Sequence, residues 1–155
     1  MKKQSVLFVC LGNICRSPAA EAIFIDLIHK RRLSNSFIVD SAGTGNWHIG
    51  KKADNRMRIA AHKRGLEILS RARQINAKDF ESFNYIITMD DSNFENIIDL
   101  KSRKSLSDFS SINKLQNFRS VFEETEVPDP YFGGDEGFDH VLDILEDSVS
   151  GFLDT

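Results

Sequence analysis

The two cysteines of this 155-residue chain both lie in the run Cys10-Leu11-Gly12-Asn13-Ile14-Cys15-Arg16-Ser17. Cys10 is a candidate nucleophile, because a cysteine thiolate forms covalent intermediates readily. Five residues separate it from Arg16, whose planar guanidinium matches two oxygens of a phosphate group. Ser17 can donate a hydrogen bond to the sulfur and help it to leave. The spacing therefore predicts a phosphate monoester bound above Cys10 and a cysteinyl-phosphate intermediate.

The middle of this loop is suited to binding an anion. Gly12 is expected to adopt a positive φ, and Asn13 tolerates left-handed geometry better than most residues. Alternating conformations of this kind turn successive backbone N–H groups inward, and the helix that follows adds its positive end. These N–H groups include those of Leu11, Ile14 and Cys15. The same surroundings favour the thiolate form of Cys10. The loop is not a nucleotide-binding loop, because it lacks the Gly-Lys-Ser/Thr ending of that motif.

Other roles for the cysteines have to be weighed beside this one. Cys10 alone would more often be a buried apolar residue at the end of a strand. The pair could also be a redox couple or half of a metal site. The four histidines are scattered along the chain without metal-ligand spacing, so we expect no metal and no organic cofactor.

The elements that position the loop follow from hydrophobic periodicity. Val6 to Cys10 is an apolar run typical of a buried parallel strand, and a helix is predicted over 19–32, with Ser17 as its N-cap. Further strands are predicted at 37–40, 85–89 and 104–109, and further helices at 54–64, 91–100 and 136–152, with a helical turn within 115–122. Strands that alternate with helices indicate one α/β domain over residues 1–155, with a parallel sheet.

Composition narrows the class of protein. Hydrophobic residues make up 41% and charged residues 28% of the chain, and the formal net charge is −3. We therefore expect a globular domain that binds neither nucleic acid nor membrane. The short apolar run near the N-terminus is too brief for a signal peptide, which predicts a cytoplasmic location with reduced thiols.

The loop resembles the signature loop of the low-molecular-weight protein tyrosine phosphatases. The resemblance continues in the same order along nearly the whole chain, through segments 39–44, 47–50, 71–74, 89–93 and 127–132. It implies a flavodoxin-like fold with a four-stranded parallel sheet flanked by helices. It also implies hydrolysis of phosphotyrosine in proteins without a cofactor, with inorganic phosphate or similar oxyanions as product or inhibitors. We expect a monomer.

The resemblance assigns the general acid to Asp129, in the segment Val127-Pro128-Asp129-Pro130-Tyr131-Phe132. From the sequence alone, Pro-Asp-Pro would more often be a simple turn. Asp40, Asp54 and Asp90 are weaker candidates, better explained as helix caps or structural groups.

The resemblance also suggests residues around the phosphate site. Trp47 and Tyr131 are expected to wall a slot for a flat phosphorylated ring, and Phe132 stands where family members often carry a second tyrosine. Ser41 and Asn13 are expected to brace the loop by hydrogen bonds. Cys15 has two interpretations, as a packing residue or as the partner of Cys10 in a reversible disulfide that guards the nucleophile.

Three alternative functions follow from the same residues. An arsenate reductase on this fold would need further cysteines after Cys15, and the sequence contains none. A protein-arginine phosphatase tends to carry threonine at the position of Ile14, so the isoleucine favours phosphotyrosine. A catalytically silent phosphate-binding module would lack Cys10, Arg16 or Asp129, and all three are present.

A cluster of basic residues follows the second strand. Lys51-Lys52 with Arg56 and Arg58 can favour acidic phosphopeptides or can form an ordinary solvated face.

Overall fold

The fold is built around one buried strand, as its apolar run predicts. The computed structural model describes residues 2–155. Strand β1 (Gln4–Cys10) lies inside a four-stranded parallel sheet of order β2-β1-β3-β4, and its residues Val6 to Cys10 are buried. The other strands are β2 (Phe37–Gly43), β3 (Tyr85–Thr88) and β4 (Ser111–Lys114). The predicted α/β class and four-stranded parallel sheet are confirmed.

Helices cover both faces of the sheet, and alternate residues of β1 serve the two layers. Val6 and Phe8 pack into one core cluster with residues of the helices on that face, whereas Leu7 and Val9 pack into a second cluster with Phe80. The helices are α1 (Arg16–Lys30), α2 (Asn55–His62), α3 (Asp79–Ser82), α4 (Asp91–Arg103) and α5 (Asp135–Leu153). Short 3₁₀ turns lie at Ser34–Ser36 and Leu115–Phe118. Among residues 2–155, no helix combines the length and apolar character needed to cross a bilayer.

Two predicted elements are wrong in position. The fourth strand is Ser111–Lys114 and not 104–109, because α4 runs to Arg103 and Ser105 takes a φ of 50°, which ends the helix in a turn. As an edge strand of four residues, it shows too little apolar pattern to be found from sequence. Helix α1 begins at Arg16, with Cys15 in the N-cap position, so Ser17 is not its cap.

The topology gathers the chemical residues at one edge of the sheet. Parallel strands point their carboxyl ends the same way, and ligands of open α/β sheets bind beyond those ends. The loop after β1, the segment after β2 that contains Trp47, and Asp90 after β3 all meet there. The segment with Asp129, between β4 and α5, completes the group.

Candidate active site

The loop between β1 and α1 is held from outside by its carbonyl groups. Thr44 N–H donates to the Cys10 carbonyl and Gly45 N–H to the Leu11 carbonyl, both at 2.9 Å. On the other side, Asp54 N–H donates to the carbonyl of Ile14 at 2.8 Å. The C=O and N–H groups of a peptide unit point in opposite directions. Because these carbonyls point outward, the N–H groups of the same peptide units point to the inside of the loop.

These inner N–H groups have no acceptor among the described residues. Across residues 2–155, the backbone N–H groups of the five loop residues donate to no carbonyl or side chain; the five are Leu11, Gly12, Asn13, Ile14 and Cys15. Backbone donors away from water are otherwise nearly always paired. An unpaired cluster of them at the start of a helix is a site for a polyoxygen anion.

The two residues expected to bend the loop behave differently. Asn13 has a φ of 57°, so its predicted left-handed conformation is confirmed. Gly12 is not among the residues with positive φ, and that prediction is wrong. Gly12 serves close packing instead, because a Cβ there would lie 3.0 Å from Cδ2 of His48.

A second glycine, which the sequence analysis did not single out, is needed to bring β2 against the loop. A Cβ on Gly43 would lie 2.7 Å from the Leu11 carbonyl oxygen and 3.1 Å from the Asn13 nitrogen. Both neighbours are backbone atoms, which move only if the loop itself moves. Glycine at the end of β2 therefore fixes the position of the loop.

The sulfur of Cys10 is oriented by a short hydrogen-bond chain. Its Sγ lies 3.0 Å from Ser17 Oγ, and Asn13 Nδ2 donates to that same Oγ at 2.8 Å. Because Ser17 accepts from Asn13, its own hydroxyl proton has two acceptors within reach, the Cys10 sulfur and the Ala42 carbonyl at 3.4 Å, and the sulfur is the nearer. Asn13 is itself fixed by Arg73, whose N–H donates to Oδ1 at 2.9 Å. The predicted roles of Ser17 beside the sulfur and Asn13 as a brace thus have the contacts they require.

Arg16 is buried and bound on one side of its guanidinium. Its Nη1 donates to Asp90 Oδ2 at 2.7 Å and to the Val127 carbonyl at 3.0 Å. Those contacts use both Nη1 hydrogens and leave Nε–H and Nη2 for an anion. Burial by itself would lower the pKa of Arg16, but the Cys10 sulfur, Asp90 and Asp129 outweigh it and raise that pKa. Arg16 is therefore a fixed cation in the site.

Asp90 does more than the helix capping expected from sequence. Its Oδ1 accepts the Asn93 N–H at 2.7 Å as the N-cap of α4, while Oδ2 holds Arg16. Asp54 likewise caps α2, by accepting the Arg56 N–H. The capping roles predicted for these two aspartates are confirmed. The contact of Asp90 with Arg16 spans 74 positions in sequence and has no local signal.

Asp129 reaches the same pocket from the segment before α5. Its Oδ2 lies 3.6 Å from Arg16 Nη2, and its Oδ1 accepts the Tyr131 N–H at 3.0 Å. The Asp129 side chain keeps 39% of its surface exposed, so it can meet a ligand that enters from solvent. A carboxyl group in this place can exchange a proton with a bound group above Cys10.

The pocket itself measures about 130 Å³ and contains most of the residues proposed from sequence. Its lining comprises Cys10, Leu11, Gly12, Ile14, Cys15, Arg16, Trp47, His48, Asp129, Tyr131 and Phe132. Trp47 packs over the backbone of Gly45 but is 65% exposed, and Phe132 is 92% exposed. Both rings lie at the rim, and Phe132 packs edge-on against Tyr131 with ring centroids 4.9 Å apart. A flat ligand ring can lie between Trp47 and Tyr131. His48, taken from sequence as a surface or packing residue, belongs to this wall, with its ring centroid 6.2 Å from that of Tyr131.

Ser41 does not brace the loop as expected. It is buried on β2, and its hydroxyl donates to Glu21 of α1. The brace in this region comes from Arg73, whose guanidinium binds Asp79 at 3.0 Å and Asp40 at 3.0 Å while its backbone holds Asn13. The prediction missed this because Arg73 reaches the loop through its backbone N–H, which carries no sequence signature.

Cys15 lines the pocket with a free, buried thiol. Burial raises its pKa, and the negative charges of Asp54 and Cys10 raise it further. Cys15 is therefore a neutral thiol near pH 7. Cys10 is also a free thiol.

Arg56, on the first turn of α2, ties the segment with Asp129 to the rest of the site. Its Nη2 donates to the Tyr131 carbonyl at 2.9 Å, and its guanidinium carbon lies 4.7 Å from the centre of the Phe138 ring. Asp54 holds the same guanidinium at 3.0 Å. From the sequence, Arg56 was only one of several surface cations.

Within the described chain, no three histidine, cysteine, aspartate or glutamate side chains are grouped as a metal ion would need. The site therefore consists of a thiol, a fixed guanidinium, a carboxyl group and a ring of unpaired amides.

Comparison with known proteins extends over nearly the whole chain. The family model for "Low molecular weight phosphotyrosine protein phosphatase" matches residues 5–155. A putative low molecular weight protein-tyrosine-phosphatase of Synechocystis sp. is 43% identical over 148 residues, which cover 96% of this chain and 93% of that one. The crystal structure of a protein tyrosine phosphatase from Entamoeba histolytica, with Hepes in its active site, superposes with a TM-score of 0.89 at 42% identity and covers 97% and 95% of the two chains. A Drosophila arginine phosphatase superposes with a TM-score of 0.91 at 36% identity and covers 99% and 96%.

Proposed function

Since the chain belongs to the low molecular weight phosphotyrosine protein phosphatase family and is an enzyme of that type, we propose that Cys10, Arg16 and Asp129 carry out its reaction. The observation that carries the proposal is the ring of five unpaired N–H groups closed by Arg16 around the Cys10 sulfur. A tetrahedral phosphate has three oxygens to place there, and its phosphorus then faces the nucleophile. Donors fixed in advance stabilise the charge that develops on those oxygens in the transition state.

The first step transfers the phosphoryl group to the enzyme. The Cys10 thiolate attacks phosphorus, an S–P bond forms, and the bond from phosphorus to the tyrosine oxygen breaks. Asp129 gives its proton to the departing phenolate oxygen, so that tyrosine leaves neutral. The Nε and Nη2 groups of Arg16, which donate no hydrogen bond within residues 2–155, bind two phosphoryl oxygens throughout, because Nη1 is already held by Asp90.

The second step restores the enzyme. Asp129, now a carboxylate, takes a proton from a water molecule whose oxygen attacks phosphorus. The S–P bond breaks and inorganic phosphate leaves, so phosphate and similar oxyanions are expected to inhibit as products. Ser17 donates its hydroxyl proton toward the sulfur, 3.0 Å away, and stabilises the thiolate as it departs.

The surroundings of the pocket support phosphotyrosine as the substrate group. Trp47 and Tyr131 flank the opening, so the ring of a phosphotyrosine can lie between them. A phosphoserine has no ring to fill that space. We propose that the remaining expectations hold too: a monomer without a cofactor or a nucleic-acid partner, free of membranes, in a reducing compartment such as the cytoplasm. A thiolate nucleophile is lost in oxidising surroundings, which is the chemical reason for that location.

Arginine phosphatase activity is a second candidate, because a Drosophila arginine phosphatase superposes closely on this chain. Ile14 lines the pocket with an apolar side chain, which offers no hydrogen bond to a phosphoguanidino group. We expect kcat/KM for a phosphotyrosine peptide to exceed that for the matched phosphoarginine peptide by about a hundredfold, the discrimination that an apolar pocket reaches against a ligand with an added polar group. Steady-state phosphate release from both peptides measures the ratio.

The matched variant for this comparison is Ile14→Thr, which keeps a β-branched side chain and replaces one of its carbon branches with a hydroxyl group. It should narrow the ratio by raising phosphoarginine turnover while p-nitrophenyl phosphate is still cleaved. A wild-type preference for phosphoarginine would reject phosphotyrosine as the natural substrate group.

Cys15 is proposed as the redox partner of Cys10. Hydrogen peroxide would oxidise the Cys10 thiolate to a sulfenic acid, and the neutral Cys15 thiol would then attack that sulfur and release water to leave a disulfide. The raised pKa of Cys15 makes Cys10 the site of first oxidation. The product can be reduced by thiols, unlike the higher oxidation states of a lone cysteine.

Removal of Arg56 is expected to impair proton donation by Asp129. In Arg56→Gln the hydrogen bond to the Tyr131 carbonyl is lost, and the segment with Asp129 is no longer fixed to α2. We expect kcat for phenyl phosphate to fall about tenfold, because a displacement of about 1 Å at a catalytic group costs up to about a hundredfold. The loss for p-nitrophenyl phosphate should be smaller, since its leaving group needs little protonation.

Arg58→Gln is the control for this prediction, because Arg58 lies on the same helix but donates to the Ala53 carbonyl and Asn55. It should leave both rates within about twofold, as surface contacts of this kind are weak. Equal losses for the two substrates in Arg56→Gln would mean that Arg56 acts on the fold and not on the acid.

A further inference from the structure

A positively charged groove of about 480 Å³ runs between α2 and the segment 66–71 that follows it. Four cations line it: Lys52, Arg58, Lys63 and Arg71. Glu67, the one carboxylate among its described lining residues, is already bound to His62 Nδ1 at 2.7 Å. The groove is therefore basic although the chain as a whole has a formal net charge of −3.

The four cations have no acidic partner in the part of the chain that the structure describes. Within residues 2–155 none of them forms a salt bridge; Arg58 and Arg71 donate instead to the carbonyls of Ala53 and Gly50, each at 3.0 Å. Several cations elsewhere in the chain are paired with carboxylates, such as Arg64 with Asp143 at 2.8 Å, Arg73 with Asp79 at 3.0 Å and Lys114 with Asp91 at 2.8 Å. Unpaired like charges that crowd one depression repel each other, and an anionic ligand relieves that repulsion.

The groove begins next to the wall of the phosphate pocket. His48 lines that pocket, Lys51 N–H donates to the His48 carbonyl at 2.9 Å, and Lys52 follows in the groove, at most about 14 Å along the chain from His48. Lys52 also pairs with Arg71 in an antiparallel bridge, which joins the two walls of the groove at this end. From there α2 extends the groove by eight residues, or about 12 Å.

The dimensions suit an extended peptide. The length of α2 along the groove, about 12 Å, corresponds to about four residues of extended chain at about 3.3 Å each. Between the cations, Ile59 and Leu69 are exposed, and Leu69 keeps 85% of its surface free. A glutamate-rich segment can place its carboxylates on the cations and its methylene groups on these two side chains.

We infer that this groove binds acidic residues that flank the phosphotyrosine of a protein substrate. The inference rests on the proposed function, because it takes the phosphotyrosine to be anchored above Cys10. It makes the groove a specificity site that small aryl phosphates do not reach. Charge complementarity and continuity with the phosphate loop both favour a substrate segment over a separate ligand.

The test compares the wild type with the double variant Lys52→Glu/Lys63→Glu. Both side chains are exposed, and neither makes a hydrogen bond within residues 2–155, so the fold should be kept. The substrates are a glutamate-flanked phosphotyrosine peptide, the same peptide with glutamine flanks, and p-nitrophenyl phosphate. In the wild type we expect kcat/KM for the glutamate-flanked peptide to exceed that for the glutamine-flanked peptide about tenfold at low salt, and the excess to shrink at high salt.

In the double variant that preference should disappear, while turnover of p-nitrophenyl phosphate stays within about twofold of the wild type. Lys78→Glu is the matched control, because Lys78 is exposed and lies outside the groove, so the preference should survive in it. An equal loss in Lys78→Glu would assign the effect to net charge and overturn the inference. An unchanged preference in the double variant would also overturn the inference. The same holds if polyuridylate inhibits the wild type at a lower concentration than the unphosphorylated acidic peptide does. Absence of p-nitrophenyl phosphate turnover in the wild type would instead reject the proposed function itself.

Discussion

Replacement of Cys10 by serine is expected to lower the turnover of p-nitrophenyl phosphate by more than about a thousandfold, since the loss of a nucleophile removes the covalent route. Serine occupies nearly the same space, and its hydroxyl can accept the contact that Ser17 makes with the sulfur. Its proton, however, is not lost near neutral pH, so the atom below phosphorus is a poor nucleophile. The assay is release of p-nitrophenolate in buffer containing EDTA and a thiol reductant.

Cys15→Ser is the control, because it changes the second thiol of the same loop without touching the nucleophile. We expect it to keep most of the wild-type rate, with thermal unfolding used to verify that both variants fold. A near-wild-type rate in Cys10→Ser would reject the covalent mechanism. Wild-type activity that vanishes with EDTA and returns with a divalent metal would reject it as well.

Replacement of Asp129 by asparagine is expected to cost about a hundredfold to ten-thousandfold with a poor leaving group such as phenolate, the usual contribution of a general acid. The carboxyl group lies 3.6 Å from Arg16 Nη2 and is partly exposed to the pocket, where a departing oxygen would sit. With p-nitrophenyl phosphate the first step needs little protonation, so the loss in that step should be much smaller. Rates across a series of aryl phosphates with different leaving-group pKa measure the difference.

The same variant should also slow the second step, because Asp129 is the proposed base for water. Rapid mixing of Asp129→Asn with p-nitrophenyl phosphate is expected to give a burst of p-nitrophenolate followed by slow turnover. Asp135→Asn serves as the control, since that aspartate lies in the first turn of α5 and does not line the pocket. Equal losses across all leaving groups would show that Asp129 is not the acid.

Much of the catalytic loop was accessible from sequence, because its geometry is largely local. Cys10, Asn13, Arg16 and Ser17 lie within eight residues between a strand and a helix, so residue type and spacing decide what they can do together. The buried strand β1 was equally plain, since a strand covered on both faces reads as an unbroken apolar run. Asp129 was different. Its role came from the family resemblance and not from Pro-Asp-Pro, which by itself describes only a turn.

The tertiary structure alone decided how the loop is supported. Asp90 holds Arg16 across 74 positions, and Arg56 holds the Tyr131 carbonyl across 75. Glycine is required at position 43 because a Cβ there would lie 2.7 Å from the Leu11 carbonyl oxygen of the loop. The sequence also misplaced the edge strand β4 and the partner of Ser41. These contacts depend on which strands are neighbours and how closely they pack, and a local pattern of residue types carries no information on either. The sequence by itself thus determined which groups can react, whereas the packed sheet decided which groups hold them in place.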